Sequence, residues 1–255
     1  MAELLPALVL STAMAVAAGM VGSFAVMRRM SLASDALSHV ALPGIGIAIA
    51  LHVHPVIGAL VALLLGTLLV WAMERRTGIP TETVIGVVFS IALAVGTLLA
   101  TGEELVDALL GSPGRLEPWE IALGTVAAVV VAGFVGSQRH RLVLALVSRD
   151  IARTSGIGVD RLDLVYLFAF AVTVALGLRY LGVLLMGSLL IIPAATAKHL
   201  ARSLGGMLTL SAGLAVVATV AGELVATRLG VAPGPVVIVS AGVLFLASLP
   251  LRRAR

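Results

Sequence analysis

The chain has 255 residues, of which 60% are hydrophobic and only 12% charged, whereas soluble domains carry roughly a quarter charged residues. This composition excludes an ordinary soluble domain, and the absence of cysteine excludes disulfides and thiolate metal sites. The formal net charge is +4, but the basic residues are spread over short segments, so the charge indicates no nucleic-acid partner.

Apolar stretches near the length of about 20 residues needed to cross a membrane follow one another along the chain. We predict one all-α domain over residues 1–255, a polytopic membrane bundle of about nine transmembrane helices. The predicted spans run near 5–27, 32–51, 56–73, 83–101, 119–137, 163–178, 181–197, 207–227 and 235–250. The sixth span is short and could form one bent unit with the seventh around Arg179, so eight spans is the alternative.

Fourteen of the seventeen basic residues lie in clusters between these spans. With nine spans, all the clusters fall on one side of the membrane, as expected for cytoplasmic loops. The N-terminus is therefore predicted outside and the C-terminus in the cytoplasm. The clusters are Arg28 with Arg29, Arg75 with Arg76, Arg139 with Arg141, Arg149 with Arg153 and Arg161, Lys198 with Arg202, and Arg252, Arg253 and Arg255.

Two segments depart from the pattern of spans and tight loops. Residues 103–118 are too short and too polar to cross, which indicates an interfacial or re-entrant helix. Residues 138–162 form the longest predicted inner loop, in which 149–153 has helical spacing and ends near Gly156 and Gly158. This short helix is either membrane-surface structure or a docking surface for a soluble partner.

Asp35 and His39 stand near the start of the second predicted span. They are four residues apart, so a helix places them on one face. An Asp near the centre of a span costs at least roughly 2.5 kcal/mol, and carboxylate with imidazole suits divalent metals such as zinc or manganese. The other interpretation is structural, with Asp35 solvated or capping the helix and His39 bonding a neighbouring helix.

Pro43 and Gly44 follow this pair and predict a broken or kinked helix beside it. Proline has no N–H, so the carbonyl of His39 lacks its usual helical partner. In transporters, broken helices often lie beside the binding site.

Three further polar residues lie in or near predicted spans. Glu223 lies inside the eighth span and either completes a metal shell or is a buried structural carboxylate, which we favour. His52 and His54 either capture metal at the outer mouth or form a solvated turn before Pro55, and the turn is favoured.

The sequence contains no G-x-x-x-x-G-K-[ST] phosphate cradle, no H-E-x-x-H and no G-x-S-x-G. We therefore predict a protein that is not an enzyme and has no cofactor of its own. If transport is active, its energy comes from a partner or an ion gradient.

The chain resembles the zinc/manganese ABC-transporter permeases in three motifs that occur in family order. The first joins Arg28-Arg29-Met30-Ser31-Leu32 to Asp35-Ala36-Leu37-Ser38-His39 and Leu42-Pro43-Gly44. The second is the run from Tyr180 to Ala197, and the third is Pro233-Gly234-Pro235. The resemblance covers essentially the whole chain.

This resemblance implies the membrane subunit of a bacterial high-affinity metal importer in the cytoplasmic membrane. It implies a homodimer in the lipid membrane that works with two copies of a cytoplasmic ATPase. It also implies an extracytoplasmic metal-binding protein that delivers the ion, which is zinc, manganese or iron. Asp35 and His39 match the family's second-span motif and are expected to bind the metal. The expected ATPase coupling segment comprises Arg149, Asp150, Ile151, Ala152, Arg153, Gly156 and Gly158.

Two alternatives to this function remain. One is a permease for an organic metal complex such as a siderophore or haem, which needs a wider path with fewer ligands. The other is a secondary transporter or channel that works without ATP. An Asp/His pair serves zinc, manganese and iron alike, so the sequence does not choose among them.

Overall fold

The computed structural model describes residues 4–99, 117–181 and 183–251, and these are helical apart from turns and short connections. The helices are numbered in chain order and listed here. They are α1 (Leu4–Met27), α2 (Ser31–His39), α3 (Ala41–Ala50), α4 (Pro55–Thr77), α5 (Thr81–Leu99), α6 (Pro118–Val147), α7 (Arg149–Thr154), α8 (Val159–Leu181), α9 (Val183–Leu200), α10 (Leu204–Leu229) and α11 (Pro233–Ser248), followed by a 3₁₀ turn at Leu249–Leu251.

Seven helices in the described ranges are long and apolar enough to cross a membrane, namely α1, α4, α5, α6, α8, α10 and α11. The predicted second span is two helices, with an apolar stretch of intermediate length at Asp35–Ala50. The predicted sixth and seventh spans correspond to separate helices, α8 and α9. The all-helical class is confirmed, while the count of eight or nine crossings stays a prediction.

Helix α1 lies at the centre of the bundle, packed against α6, α8, α9 and α10. Small side chains such as Ala15, Ala17 and Ala18 are fully buried along it, and small residues let membrane helices approach closely. The hydroxyl of Ser211 on α10 donates to the Gly19 carbonyl of α1 at 2.7 Å. Such interhelical hydrogen bonds fix the register of helices that lipid alone would not order.

The outer helices turn large apolar side chains away from the bundle. Leu65, Ile91, Leu123 and Val239 are each more than half exposed in the single chain. A monomeric soluble protein rarely exposes such continuous apolar surface, so these faces fit a hydrocarbon environment.

Helix α6 corrects two predicted boundaries. It has 30 residues and so extends for about 45 Å, whereas the hydrocarbon core is only about 30 Å thick. The last third of α6 occupies the start of the predicted loop at 138–162. Helix α7 and the start of α8 form most of the rest of that loop. Sequence patterning stops at Ser137 because polar residues follow, but a helix that leaves the membrane continues past that point.

The predicted re-entrant helix at 103–118 lies outside the described residues except at its end. There Glu117 and Glu120 form a reciprocal capping box, and Pro118 occupies the first helical turn of α6. Proline is favoured at this position because its missing N–H has no intrahelical partner there. The C-terminal basic cluster at 252–255 is likewise outside the described residues.

Candidate metal site

Helix α2 places Asp35 and His39 on one face, one helical turn apart. The helix packs mainly between α5 and α9. Its buried side is formed by Leu37 and Ser38, which are 1% and 0% exposed. Asp35 is exposed in the single chain and His39 is half-buried. Asp35 is therefore open in the single chain, whereas His39 is partly covered.

The helix ends at His39, and Val40 alone separates it from α3. The break thus lies three residues before Pro43, which together with Gly44 is inside the first turn of α3. Proline is tolerated in a first helical turn, but its ring clashes with the carbonyl four residues earlier, here that of His39. The distortion consequently falls on the chain before the proline and not at Pro43-Gly44.

Local hydrogen bonds stabilise this break. The Ser38 hydroxyl donates to the Asp35 carbonyl at 2.6 Å, and the Val40 N–H donates to the Leu37 carbonyl at 3.1 Å. Gly66 of α4 leaves room for Val40, since a Cβ there would stand 2.5 Å from the Val40 Cγ1. The end of α2 is therefore held by its own polar groups and by a close contact with α4.

Two residues on neighbouring helices form the walls of the site. The Phe89 ring of α5 stands edge-on to the His39 imidazole, with ring centroids 5.4 Å apart. On α9, a Cβ at Gly187 would lie 2.8 Å from the Asp35 Cα and 2.9 Å from its Oδ1. Gly187 belongs to the motif that runs from Tyr180 to Ala197, and the sequence assigns it no role. Nothing local distinguishes it from the other glycines of the chain.

The donor set of the pair fits an ion in transit. Within the described residues the His39 Nδ1 is buried without a hydrogen-bond partner, so this ring has an unused nitrogen. The same part of the chain contains no group of three or more His, Cys, Asp or Glu side chains that could hold a metal. One carboxylate and one imidazole are fewer ligands than the four of a closed structural zinc site.

Glu223 does not join the pair. It lies on α10, and its carboxylate lies near the Ser11 hydroxyl of α1. Its side chain is half-buried. Glu223 therefore lies near the α1–α10 contact, and its structural role stays a prediction.

His54 is not a simple solvated turn residue. Its Nε2 lies 3.2 Å from the Glu120 Oε1, and its ring stands edge-on to Trp119 with centroids 6.1 Å apart. The preceding His52 has a φ of 56°, which is uncommon for a residue other than glycine. These contacts join the α3–α4 connection to the start of α6.

The predicted coupling segment is helix α7 with its two ends. Ser148 caps it by accepting a hydrogen bond from the Ile151 N–H at 3.3 Å. Gly156 ends it with a φ of +77°, a conformation that glycine adopts without strain. Gly158, also predicted as a cap, is not in that left-handed region within the described chain.

The faces of α7 differ in what they contact. Ala152 is fully buried in a small cluster with Ala145 and Val159, while Ile151 is 55% exposed. The Asp150 side chain is 94% exposed. The outward surface of α7 therefore includes Asp150 and Ile151.

The two arginines of α7 point back towards the bundle. Arg149 bonds to Asp163 of α8 at 2.6 Å, and Arg153 lies 3.7 Å from Asp160. The charges at 149 and 153 thus have partners within this chain, which the spacing of basic residues did not reveal.

Known proteins are similar to this chain over nearly its whole length. The model of the family described as ABC 3 transport family matches residues 1–252. The chain is 29% identical over 252 residues to the high-affinity zinc uptake system membrane protein ZnuB of Haemophilus influenzae, covering 96% of each protein. It is 29% identical over 246 residues to the manganese import system permease protein ScaB of Streptococcus parasanguinis, covering 95% of this chain and 88% of that protein.

A solved structure is similar over nearly the same length. The structure of PsaBC from Streptococcus pneumoniae in complex with Fab aligns with a TM-score of 0.84 at 26% identity. The alignment covers 97% of this chain and 91% of that one.

Proposed function

The chain belongs to the ABC 3 transport family, and we propose that it is the membrane-spanning permease subunit of an ATP-driven importer of divalent transition-metal ions, zinc or manganese. Relatives along its full length are named as zinc and manganese uptake proteins. The ion is the substrate, and the chain itself performs no chemistry on it.

The observation that carries this proposal is the Asp/His pair at the end of a helix that breaks inside the bundle. Asp35 supplies a charge that offsets the cation, and His39 has a ring nitrogen without a partner in the described residues. Borderline divalent metals accept both donor types. A helix terminus within a membrane protein is also where transporters place their ion sites.

An open side of the pair supports a path between two copies of the chain. Asp35 is exposed in the single copy although it belongs to a helix packed between α5 and α9. A bare carboxylate facing lipid would be costly, so its exposed side faces a partner surface or an aqueous path. A homodimer provides both, with the ion passing between the copies.

Helix α7 is the element that we assign to contact with a cytoplasmic ATPase. It is the short helix beyond the long α6, with a buried inner face and an outward surface at Asp150 and Ile151. An exposed apolar side chain beside a carboxylate is suited to docking against a soluble subunit. Metal would reach the opposite face on an extracytoplasmic delivery protein.

The protein is a membrane protein, and the family places it in the bacterial cytoplasmic membrane. We assign α7 and the C-terminus to the cytoplasm and the α3–α4 connection to the outside. Arg28, Arg75, Arg149 and Arg153 all take part in ion pairs with Asp160 or Asp163, so these clusters share one end of the bundle. The positive-inside rule makes that end cytoplasmic.

The proposal is tested by transport in vesicles that contain the chain with its cognate ATPase and delivery protein. Uptake of zinc and of manganese is measured with and without ATP, and each ion competes with the other. We expect saturable, ATP-dependent uptake of at least one ion. Uptake that continues without ATP, or that is selective for a siderophore or haem, would contradict the proposal.

A further inference from the structure

Asp163 of α8 is a buried carboxylate shared by two arginines. The residue is only 7% exposed. Its Oδ1 accepts a hydrogen bond from the Arg28 Nη2 at 2.7 Å, and its Oδ2 accepts one from the Arg149 Nη2 at 2.6 Å. Each carboxylate oxygen therefore bonds an arginine from a different part of the chain.

These two arginines come from the two segments that a transport cycle has to connect. Arg149 is the first residue of α7, the proposed ATPase contact. Arg28 follows the end of α1, in the corner that leads into α2 and to Asp35 and His39. Asp163 thus links the ATPase side of the chain to the helix that carries the metal pair.

The Arg28 side of this link is held firmly. The Arg28 guanidinium carbon lies 4.5 Å from the centroid of the Tyr166 ring, and the buried Tyr166 hydroxyl donates to the Val21 carbonyl of α1 at 3.1 Å. The corner itself is tight, since Arg29 has a φ of 61°. The Arg28 side chain therefore ties Asp163 to the corner between α1 and α2.

The Arg149 side is more accessible. Its side chain is 51% exposed, against 13% for Arg28, and it also lies 3.7 Å from Glu74 of α4. Arg149 can change its contacts when a partner binds at α7, whereas Arg28 and Asp163 stay buried. The Arg28–Asp163 ion pair is thus fixed, and the Arg149–Asp163 ion pair responds to docking.

We propose that Asp163 is a positioning residue that couples ATPase docking at α7 to the orientation of α2 through Arg149 and Arg28. This inference rests on the proposed function, because it requires the ATPase at α7 and the metal at α2. Asp163 is itself buried, and in this proposal it acts only through the two arginines.

Asp160 provides a matched control on the same helix. It lies one turn before Asp163 and forms ion pairs with Arg75 of α4 and Arg153 of α7. Within the described residues its ion pairs do not reach α1. Loss of the Asp160 charge therefore loosens α7 without touching the α1–α2 corner.

The experiment uses the complete transporter in vesicles and compares Asp163→Asn, Asp163→Glu and Asp160→Asn with the native chain. ATP hydrolysis is measured with and without metal-loaded delivery protein, together with ATPase association. For Asp163→Asn we expect stimulation by the loaded delivery protein to fall about fivefold or more, the lower range of allosteric coupling, with association and basal hydrolysis kept. Asp163→Glu should restore part of the stimulation, and Asp160→Asn should remain near native.

Variants that remove only one of the two arginines test the proposal even if Asp163→Asn does not accumulate in the membrane. Arg28→Gln and Arg149→Gln each remove one of the two ion pairs of Asp163. Both should lower the stimulation of ATP hydrolysis to a similar extent, although Arg28 is remote from α7. Stimulation equal to that of Asp160→Asn in these variants would overturn the coupling role. Failure of the native chain to associate with any ATPase would instead overturn the proposed function.

Discussion

Gly187 of α9 lies directly against Asp35 of α2. A Cβ at position 187 would lie 2.8 Å from the Asp35 Cα and 2.9 Å from its Oδ1. Because the first of these atoms is backbone, no side-chain rotation could relieve the overlap. The position of the Asp35 carboxylate therefore depends on the absence of a side chain at 187.

Gly187→Ala should displace α2 from α9 and lower metal uptake. Overpacking of this kind costs about 1–3 kcal/mol, so thermal unfolding of the purified protein should also occur at a lower temperature. Gly213→Ala is the control, because a Cβ at Gly213 meets nothing within 4 Å. Equal uptake by the two variants would show that the close contact has no role in transport.

Ile151→Asp should weaken association with the ATPase. Ile151 is 55% exposed on the outward surface of α7, so the new charge would be desolvated on docking, which is unfavourable. Association is measured by pull-down from detergent. His140→Asp introduces the same charge at an exposed position of α6 and should bind normally. Unchanged association of Ile151→Asp would exclude this surface as the docking site.

The assigned orientation predicts which single cysteines are accessible from outside the cell. Val231→Cys, in the connection between α10 and α11, should react with an impermeant thiol reagent in intact cells, because it lies on the proposed outer side. Thr154→Cys, at the end of α7, should react only after permeabilisation. The native chain contains no cysteine and serves as the unlabelled control. The reverse pattern of labelling would invert the topology.

The sequence predicts the helical class and most span positions, because a membrane requires long apolar stretches whatever their packing. It also predicts the α7 helix from the helical spacing of 149–153 and from Gly156, which are local signals. The limits of local reasoning appear at Val40. Pro43 predicts a break in the helix. The position of that break depends on the steric effect of the Pro43 ring on the preceding turn and on the packing of Val40 against α4.

Contacts between distant segments account for what sequence reasoning missed. The resemblance predicts Arg149 as part of the coupling segment, but the sequence does not reveal its partner Asp163, which is 14 residues away on the next spanning helix. The partner of Arg28 is 135 residues away. Gly187 has a role only because α2 crosses α9 at that point. Such pairings follow from tertiary packing and leave no periodic signal in the chain.

Glu223→Gln should leave metal uptake close to native. The carboxylate lies near Ser11 at the α1–α10 contact, and within the described residues it forms no metal-binding group with Asp35 and His39. Glutamine keeps the size of the side chain and one oxygen acceptor. Uptake is measured at matched expression. Loss of uptake in this variant would bring Glu223 into the metal path, contrary to its place in the structure.

Metal uptake by Asp35→Asn, His39→Ala and the double variant tests the central claim most directly. All are compared in vesicles with the cognate ATPase and delivery protein, at matched amounts of chain, with Glu223→Gln as the control for loss of a carboxylate within a spanning helix. Each single variant should lose most of its uptake. The double variant should be no worse, since losing either ligand already disrupts the site and neighbouring effects do not add. Near-native uptake by both single variants would contradict the account and make the Asp35/His39 pair structural.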